Sequence, residues 1–410
     1  MAAADRARAR MVTALARHGR VRSPAVEEAL RSVPRHLFLP GTPLAEAYAD
    51  EAVAVQFYCG VATSSASQPS MVAIMLEQLD LRPGQRVLEI GAGTGYNAAL
   101  IARIVGPEGA VTAVDIDEEL VARAEQHLAA AGVTGVDLVA ADGALGHPPA
   151  APYDRIVLTV GSADIRPEWV AQLAPGGRLL LPLAVRGSQL SVALDLGPDG
   201  ALRSASVRSC AFIRLRGISA GADASMPLPG VSLALQVPDD VPAADPAGVS
   251  AALAEPASTT LPAPAPLGPA DVWDGFGLWL ALTEPGACRL LASDPDTGLP
   301  DDLLPLGPAA GTVALATAGD AGPVGLAAVV LEPGRAVAEQ PGPVAVRPFG
   351  PGGPALATRL LDALERWQAA GRPGAPEWRI TAVPASGPAV PPGPVVVVTE
   401  HCRLLMELPA

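Results

Sequence analysis

A glycine-spaced turn follows a short apolar run in the first quarter of the chain. Residues 87–90 are apolar except for Glu89, and glycines then stand at Gly91, Gly93 and Gly95. Glycine has no Cβ, so the backbone can turn tightly and approach a ligand closely. Because a helical pattern follows at 96–105, the segment predicts the strand–loop–helix opening of a nucleotide-binding α/β domain.

Two further apolar runs end in carboxylates. Asp115 closes the first of these runs and lies about 20 residues beyond the turn, the separation at which an acid reaches a ribose hydroxyl pair. Asp142 closes the second run and is followed by Gly143. Apolar runs at 155–160 and 178–182 add two more predicted strands. Acids at strand ends beside a glycine turn are typical of ligand sites in open α/β sheets, the alternative being an ordinary doubly wound domain with incidental acids.

The acidic residue followed by Gly-x-Gly-x-Gly resembles the first motif of class I methyltransferases, which use S-adenosylmethionine (SAM). The resemblance implies an α/β fold with a Rossmann-like, doubly wound sheet and SAM as the cofactor. It also implies that the acid after the third strand lies near the adenine amino group. The residues implied to bind SAM are Glu89, Gly91, Gly93, Gly95, Asp115, Asp142 and Gly143.

Composition limits the remaining possibilities. The chain has 410 residues and a net charge of −14, which suggests two or three domains and disfavours nucleic acid as a partner. No apolar run reaches the length of a membrane span, and residues 1–16 lack the apolar core of a secretion signal. We therefore expect a cytoplasmic protein without a membrane partner. The four cysteines and five histidines are scattered, so no metal site is predicted.

The pattern of elements divides the chain into four regions. Residues 1–80 form an N-terminal helical and substrate-segment region, and 81–220 form the SAM-binding core, which closes with strands near 191–196 and 204–215. Residues 221–270 are a Pro- and Ala-rich connection, and 271–410 are predicted to be a smaller α/β or α+β domain that recognises peptides.

Aromatic residues are clustered near the start of that last region. Trp273, Phe276 and Trp279 fall within a single apolar segment. We interpret them as core residues, with a peptide-binding aromatic patch as the alternative. The spacing of apolar residues over 355–369 predicts an amphipathic helix.

Three motifs precede the glycine turn. They are Val33-Pro34-Arg35, Ala47-Tyr48-Ala49-Asp50 and Ser65-Ala66-Ser67-Gln68-Pro69. Their order resembles the signature of protein-L-isoaspartate O-methyltransferases, over residues 25–216. The resemblance implies that Ser65 and Ser67 hold the substrate carboxylate as catalytic residues. It places substrate contacts at Ser64, Gln68, Pro69 and Val160. The alternative for the two serines is a helix N-cap.

The resemblance implies a reaction in which a substrate carboxylate attacks the methyl group of SAM. A carboxylate is ionised at neutral pH, so no strong general base is required. The methyl ester is activated, and the following backbone nitrogen can close on it to give a succinimide.

The chain is nearly twice as long as the repair enzyme of this family. Its C-terminal extension and residues 53–62 resemble actinobacterial homologues that accompany clusters for ribosomally made peptides (RiPP biosynthesis). These homologues methylate an aspartate in a lanthipeptide, graspetide or lasso peptide and install an aspartimide or isoaspartate. We therefore predict that the partner is a modified precursor peptide. The alternatives are general isoaspartate repair, a non-catalytic SAM-binding module and methyl transfer to an unrelated small molecule. Removing residues 225–410 is expected to spare repair but abolish peptide tailoring.

Overall fold

The computed structural model describes residues 2–221, 225–237, 244–268, 270–292, 311–317, 323–331, 341–387, 390 and 392–409. Helices and a hairpin form the N-terminal region, before the central sheet. They are α1 (Ala2–Arg17), α2 (Pro24–Ser32), a 3-10 turn (Arg35–Phe38), α3 (Leu44–Ala47), β1 (Val53–Tyr58), β2 (Val61–Ala66) and α4 (Pro69–Leu79). Ser23 caps α2 by accepting a hydrogen bond from the backbone N–H of Val26 (3.4 Å). Glu77 of α4 accepts from the backbone N–H of Ser23 (2.8 Å), so α2 is fixed against α4.

A ten-stranded mixed sheet forms the centre of the molecule. The first part of the chain to contribute to it consists of β3 (Arg86–Ile90), α5 (Tyr96–Val105), β4 (Ala110–Asp115), α6 (Glu118–Ala130), β5 (Val136–Ala140), β6 (Tyr153–Leu158), α7 (Pro167–Ala171), β7 (Leu173–Val185), β8 (Ser188–Leu196) and β9 (Leu202–Ser209). Strands β7, β6, β3, β4 and β5 are parallel neighbours in that order, and β8 and β9 follow β7 as antiparallel strands.

This order confirms the predicted α/β fold with a Rossmann-like, doubly wound sheet. Residues 87–90 of β3 are buried, as expected for a central parallel strand covered on both faces. The chain runs from β3 outward to β5 and then returns to place β6 on the other side of β3. The carboxyl ends of β3 and β6 are therefore a topological switch point, where open α/β sheets bind ligands. The strand predicted near 204–215 is shorter, because β9 ends at Ser209 and an irregular segment follows.

A second sheet of seven antiparallel strands packs beside the first, with helices against it. Its elements are β10 (Ser225–Pro227), β11 (Leu233–Gln236), α8 (Pro246–Leu253), β12 (Leu261–Pro262), a π-helical turn (Asp271–Gly275), α9 (Phe276–Thr283), β13 (Ala287–Ala292), β14 (Gly311–Ala316), β15 (Leu326–Leu331), β16 (Val344–Phe349) and α10 (Gly353–Ala369). The predicted connection 221–270 thus contributes strands of this sheet, while its residues 222–224, 238–243 and 269 lie outside the described residues.

The predicted aromatic cluster belongs largely to the core. Phe276 is fully buried, and its ring centroid lies 5.8 Å from that of Trp367 in α10. The ring of Trp279 faces Trp378 at 6.3 Å. The third aromatic, Trp273, lies under the guanidinium of Arg289 at 5.2 Å. We therefore keep the core interpretation of this segment.

The end of the chain returns to the larger sheet. Strands β17 (Arg379–Pro384), β18 (Val395–Val398) and β19 (Cys402–Glu407) extend it beyond β9. Residues 271–410, predicted as one accessory domain, are therefore divided between the two sheets. No helix among the described residues is long and apolar enough to cross a bilayer.

The two halves of the chain share one hydrophobic core. Leu194 and Leu202 of the N-terminal part are buried in the same cluster as Leu278, Ile380 and Leu404 of the C-terminal part. Re-exposing one such side chain costs about 1.5–3 kcal/mol. A few of them together therefore approach the net stability of an ordinary domain, about 5–15 kcal/mol.

Removing residues 225–410 is accordingly expected to abolish cooperative folding, rather than to separate repair from tailoring. Thermal unfolding followed by circular dichroism tests this expectation against the full chain. A truncated protein that melts cooperatively near the full-length temperature would contradict it.

Candidate active site

A cavity opens at the switch point, at the carboxyl ends of β3, β4 and β6. Its volume is about 1010 Å³, including the space open to solvent. Nine of the residues predicted from the sequence line it. They are Ser64, Ser65, Ser67, Glu89, Gly91, Gly93, Asp115, Gly143 and Val160. The cavity therefore brings the glycine turn and the serine segment, which are distant in sequence, to one place.

Two of the glycines predicted to bind SAM are packed too closely to carry side chains. Gly91 has a φ of 98°, and a Cβ there would lie 2.8 Å from Thr159 Oγ1. A Cβ on Gly143 would lie 2.4 Å from Ile90 Cγ2. Gly95 has a φ of 82° and is the N-cap of α5, where it faces Ala124 rather than the cavity. Glycine is thus required for the shape of the turn.

Asp115 connects β4 to the glycine turn. Its Oδ2 accepts a hydrogen bond from the backbone N–H of Gly93 (2.9 Å), and its Oδ1 accepts one from the N–H of Asp117 (3.2 Å). The guanidinium of Arg216 lies 3.8 Å from Oδ1. Burial raises the pKa of the Asp115 carboxyl, and the two backbone N–H groups and Arg216 oppose that rise. Asp115 is therefore a fixed acceptor at the wall of the cavity.

Glu89 is completely buried at the floor of the cavity. Its Oε1 accepts a hydrogen bond from Asn97 Nδ2 (2.8 Å), whereas its Oε2 has no hydrogen-bond partner among the described residues. Burial raises the pKa of Glu89 to about 8. A buried carboxyl oxygen without a partner is costly, so this atom is suited to a ligand that donates a hydrogen bond.

Asp142, predicted to lie near the adenine, does not line the cavity. Its Oδ1 accepts from the N–H of Ala144 (2.9 Å), which caps the 3-10 turn Gly143–Leu145. Its Oδ2 accepts from the N–H of Ile218 (2.9 Å). Asp142 therefore fixes the segment after β9 beside the cavity.

The serine segment enters the cavity from the hairpin. Ser64 and Ser65 belong to β2, and Ser67 lies between β2 and α4. The N-cap of α4 is Gln68, which makes no side-chain capping hydrogen bond, so the N-cap interpretation of Ser65 and Ser67 is wrong. Instead, Asp50, which precedes the hairpin in sequence, caps α4 by accepting a hydrogen bond from the N–H of Ser70 (2.8 Å). Both serines are consequently free of the capping role.

Gln68 and Pro69, predicted as substrate contacts, lie outside the cavity lining. The Gln68 side chain is exposed and donates to the carbonyl of Asp50 (2.8 Å). Pro69 is the buried first residue of α4. Both residues therefore shape the start of α4.

A buried arginine joins the three motifs, a role that the sequence did not reveal. Arg35 is 1% exposed, and its guanidinium donates to the carbonyls of Ala47 (2.9 Å) and Ser67 (2.9 Å). It also lies over the ring of Tyr96, 5.0 Å from the centroid. Arg35 thus positions the serine segment, and the only signal for it in the sequence was its place in the Val-Pro-Arg motif.

The irregular segment after β9, predicted as the end of a strand, lines the cavity instead. We name residues 212–216 the strap; all five of them line the cavity. The N–H of Gly161 donates to the carbonyl of Ile213 (2.8 Å), and the N–H of Leu215 donates to the carbonyl of Gly161 (2.8 Å). The strap is therefore fixed at the cavity wall next to Val160, the predicted substrate contact.

Comparison with known proteins identifies the family. The profile of "Protein-L-isoaspartate(D-aspartate) O-methyltransferase (PCMT)" matches residues 6–220. The protein-L-isoaspartate O-methyltransferase of Methanopyrus kandleri is 40% identical over 213 residues, 52% of this chain and 92% of that protein. Protein-L-isoaspartate O-methyltransferase 1 of Anaeromyxobacter sp. is 40% identical over 201 residues, 48% of this chain and 91% of that protein.

A solved structure has a similar fold over nearly the whole molecule. It is a protein-L-isoaspartate O-methyltransferase with a TM-score of 0.50 and 20% identity, covering 91% of this chain and 96% of that one. Together the comparisons confirm the predicted enzyme class, a SAM-dependent carboxyl O-methyltransferase, and SAM as its cofactor. The chain belongs to the protein-L-isoaspartate(D-aspartate) O-methyltransferase family.

Proposed function

We propose that this protein methylates the free carboxylate of isoaspartyl residues in proteins and peptides and thereby starts their repair. One observation carries the proposal: the serine segment and the glycine turn face each other across one cavity. The position of a Cβ on Gly93 lies only 3.7 Å from Ser64 Oγ. A carboxylate held by the serines would therefore lie close to a cofactor held by the turn.

The residues around the glycine turn fit SAM. The unpaired Oε2 of Glu89 is suited to the cofactor's cationic amino group, and Asp115, held at the end of β4, would accept hydrogen bonds from ribose hydroxyls. The bare backbone at Gly91 and Gly93 allows close approach. When bound, SAM supplies an electrophilic methyl group on a positively charged sulfur.

The serine segment is suited to hold the other reactant. The hydroxyls of Ser65 and Ser67 would donate hydrogen bonds to the substrate carboxylate and orient one of its oxygens toward the methyl group. The carboxylate is already ionised at neutral pH, so the residues contribute position and exclusion of water rather than a base. In the ester that forms, the following backbone nitrogen attacks the carbonyl carbon, methanol leaves, and a succinimide results. Water then opens the succinimide, in part to a normal aspartyl residue.

Peptide tailoring is the second candidate function, but the observation that favoured it does not distinguish it from repair. The hypothesis depended on a C-terminal extension absent from short repair enzymes. The solved protein-L-isoaspartate O-methyltransferase with a similar fold aligns over 91% of this chain. A protein of that name can therefore also have a C-terminal part of this kind. None of the contacts described above favours a macrocyclic precursor. General isoaspartyl methylation is therefore the function that we propose.

The experiment for this proposal follows the fate of one peptide. An isoaspartyl peptide incubated with the enzyme and SAM should yield the methyl ester, then the succinimide, and finally its normal aspartyl isomer, all separable by reversed-phase chromatography. A peptide that remains isoaspartyl throughout would reject repair.

Ser67→Ala is expected to leave SAM affinity unchanged and to lower turnover of an isoaspartyl peptide about 10- to 150-fold. The reason is the loss of one hydrogen bond to a charged group, worth about 1.5–3 kcal/mol. Ser32→Ala is a matched control, since its hydroxyl only donates to the carbonyl of Ala29 within α2. Normal turnover in Ser67→Ala would show that Ser67 does not hold the substrate carboxylate.

SAM binding at pH 7 is expected to release close to one proton from Glu89. Burial raises the pKa of this carboxyl to about 8, so it is mostly protonated in the free protein. A cationic amino group at Oε2 would lower the pKa and drive the proton off. Calorimetry in two buffers of different ionisation enthalpy measures the release, and Glu89→Gln should eliminate it. Identical binding enthalpies in both buffers for the unmodified protein would contradict this role.

A further inference from the structure

The four most exposed large apolar side chains among the described residues all lie on segments that border the active-site cavity. Phe57, Tyr58 and Val61 are 62%, 73% and 67% exposed at the tip of the β1–β2 hairpin, and Ile218 is 66% exposed just after the strap. Scattered exposed apolar residues are ordinary on a protein surface. Four of them concentrated on two neighbouring segments are typical of a binding surface.

The two segments meet at one carboxylate oxygen. Gln56, beside Phe57 in β1, donates its Nε2 to Asp117 Oδ2 (2.8 Å). Nη1 of Arg216, two residues before Ile218, lies 3.9 Å from the same Oδ2. The hairpin and the strap are thus held together at Asp117. We call Phe57, Tyr58, Val61 and Ile218 the apolar rim.

The rim is continuous with the site that would hold the carboxylate. Strand β2 begins at Val61 in the rim and reaches the cavity at Ser64 and Ser65. The same hairpin is fixed internally by Thr63, whose Oγ1 donates to Gln56 Oε1 (3.0 Å). A polypeptide that inserts one carboxylate into the cavity must leave its flanking residues outside, against the mouth. Those residues would therefore contact the rim.

We propose that the apolar rim binds apolar side chains flanking the methylated residue in the substrate polypeptide. This inference rests on the function proposed above. Folded proteins bury such side chains, whereas an unfolded or damaged segment exposes them beside the carboxylate. The four rim side chains carry no charge, which fits apolar flanking residues in the substrate.

The test uses two isoaspartyl peptides of equal length, one with Leu and one with Ser at the positions flanking the isoaspartate. The Phe57→Ser/Tyr58→Ser double variant and Ile218→Ser are compared with Val324→Ser, a control at an exposed apolar residue of the second sheet region. The rim variants should lower kcat/KM for the Leu peptide by about tenfold, with little change for the Ser peptide. The affinity for S-adenosylhomocysteine and the melting temperature should be unchanged.

Equal losses on both peptides, or no loss on either, would overturn the inference. If the unmodified protein is a dimer and the rim variants dissociate it without changing the peptide kinetics, a second copy of the chain covers the rim. That result would also overturn the inference. Fluorescence polarisation of the labelled peptides, with S-adenosylhomocysteine present, separates this inference from the proposed function. If the Leu peptide binds in a way that depends on the rim but is not methylated, the proposed function is rejected and the inference about the rim is supported. If turnover is normal and binding of the Leu peptide does not depend on the rim, only the inference about the rim is rejected.

Discussion

Arg35→Ala is expected to destabilise the protein by about 3–5 kcal/mol, because it leaves buried carbonyl oxygens without their charged donor and opens a cavity in the packed interior. The same change should reduce kcat/KM for an isoaspartyl peptide by more than about 100-fold, because small displacements of positioning groups have large effects on rate. The physical reason is that the guanidinium holds the carbonyls of Ala47 and Ser67 from a site that is 1% exposed. Thermal unfolding and steady-state kinetics measure the two effects.

The control for this prediction is Arg31→Ala. Arg31 pairs with Glu27 on the surface of α2, and such pairs contribute about 0–1 kcal/mol. Arg35→Lys separates positioning from folding, because lysine keeps the charge but lacks the planar fork that reaches two carbonyls. That variant should retain SAM affinity while losing peptide turnover. Near-normal stability and turnover in Arg35→Ala would show that the serine segment does not depend on this arginine.

Asp115→Ala is expected to weaken SAM binding by about 1.5–3 kcal/mol, or roughly 10- to 150-fold. The variant loses the acceptor for ribose hydroxyls and also frees the N–H of Gly93, which its Oδ2 holds at 2.9 Å. Isothermal titration calorimetry with SAM gives the affinity directly. Asp137→Ala is the matched control, an exposed carboxylate on neighbouring β5.

Asp115→Asn refines the same prediction. The amide keeps one oxygen acceptor, so it can still hold Gly93, but it has no negative charge and only one accepting oxygen. We expect its SAM affinity to lie between those of the unmodified protein and Asp115→Ala. Unchanged SAM affinity in both variants would show that the ribose hydroxyls do not bind at the end of β4.

Local patterns in the sequence predicted the centre of the fold well. Helix α5 was expected at 96–105, and it spans Tyr96–Val105. Buried parallel strands read as continuous apolar runs and carboxylates mark their ends, so the positions of Glu89 and Asp115 followed from the sequence. Their convergence on one cavity followed from the geometry of parallel sheets.

Long-range contacts account for what the sequence did not predict. The hydrogen bonds of Arg35 to Ser67, and of Asp142 to Ile218, join residues far apart in the chain. The pairing of β17 with β9, after the chain has passed through the second sheet, likewise depends on tertiary contacts. The serines resembled an N-cap because capping preference is local, whereas here Asp50 binds the helix start from another segment.

The most direct test of the account is intact mass spectrometry after incubation with SAM. Three peptides are compared: an isoaspartyl peptide, its normal L-aspartyl isomer of identical sequence, and a macrocyclic peptide that contains aspartate. The account predicts the gain of one methyl group, followed by loss of methanol to the succinimide, on the isoaspartyl peptide alone. Methylation of the macrocycle with no change in the isoaspartyl peptide would contradict it and restore the peptide-tailoring hypothesis.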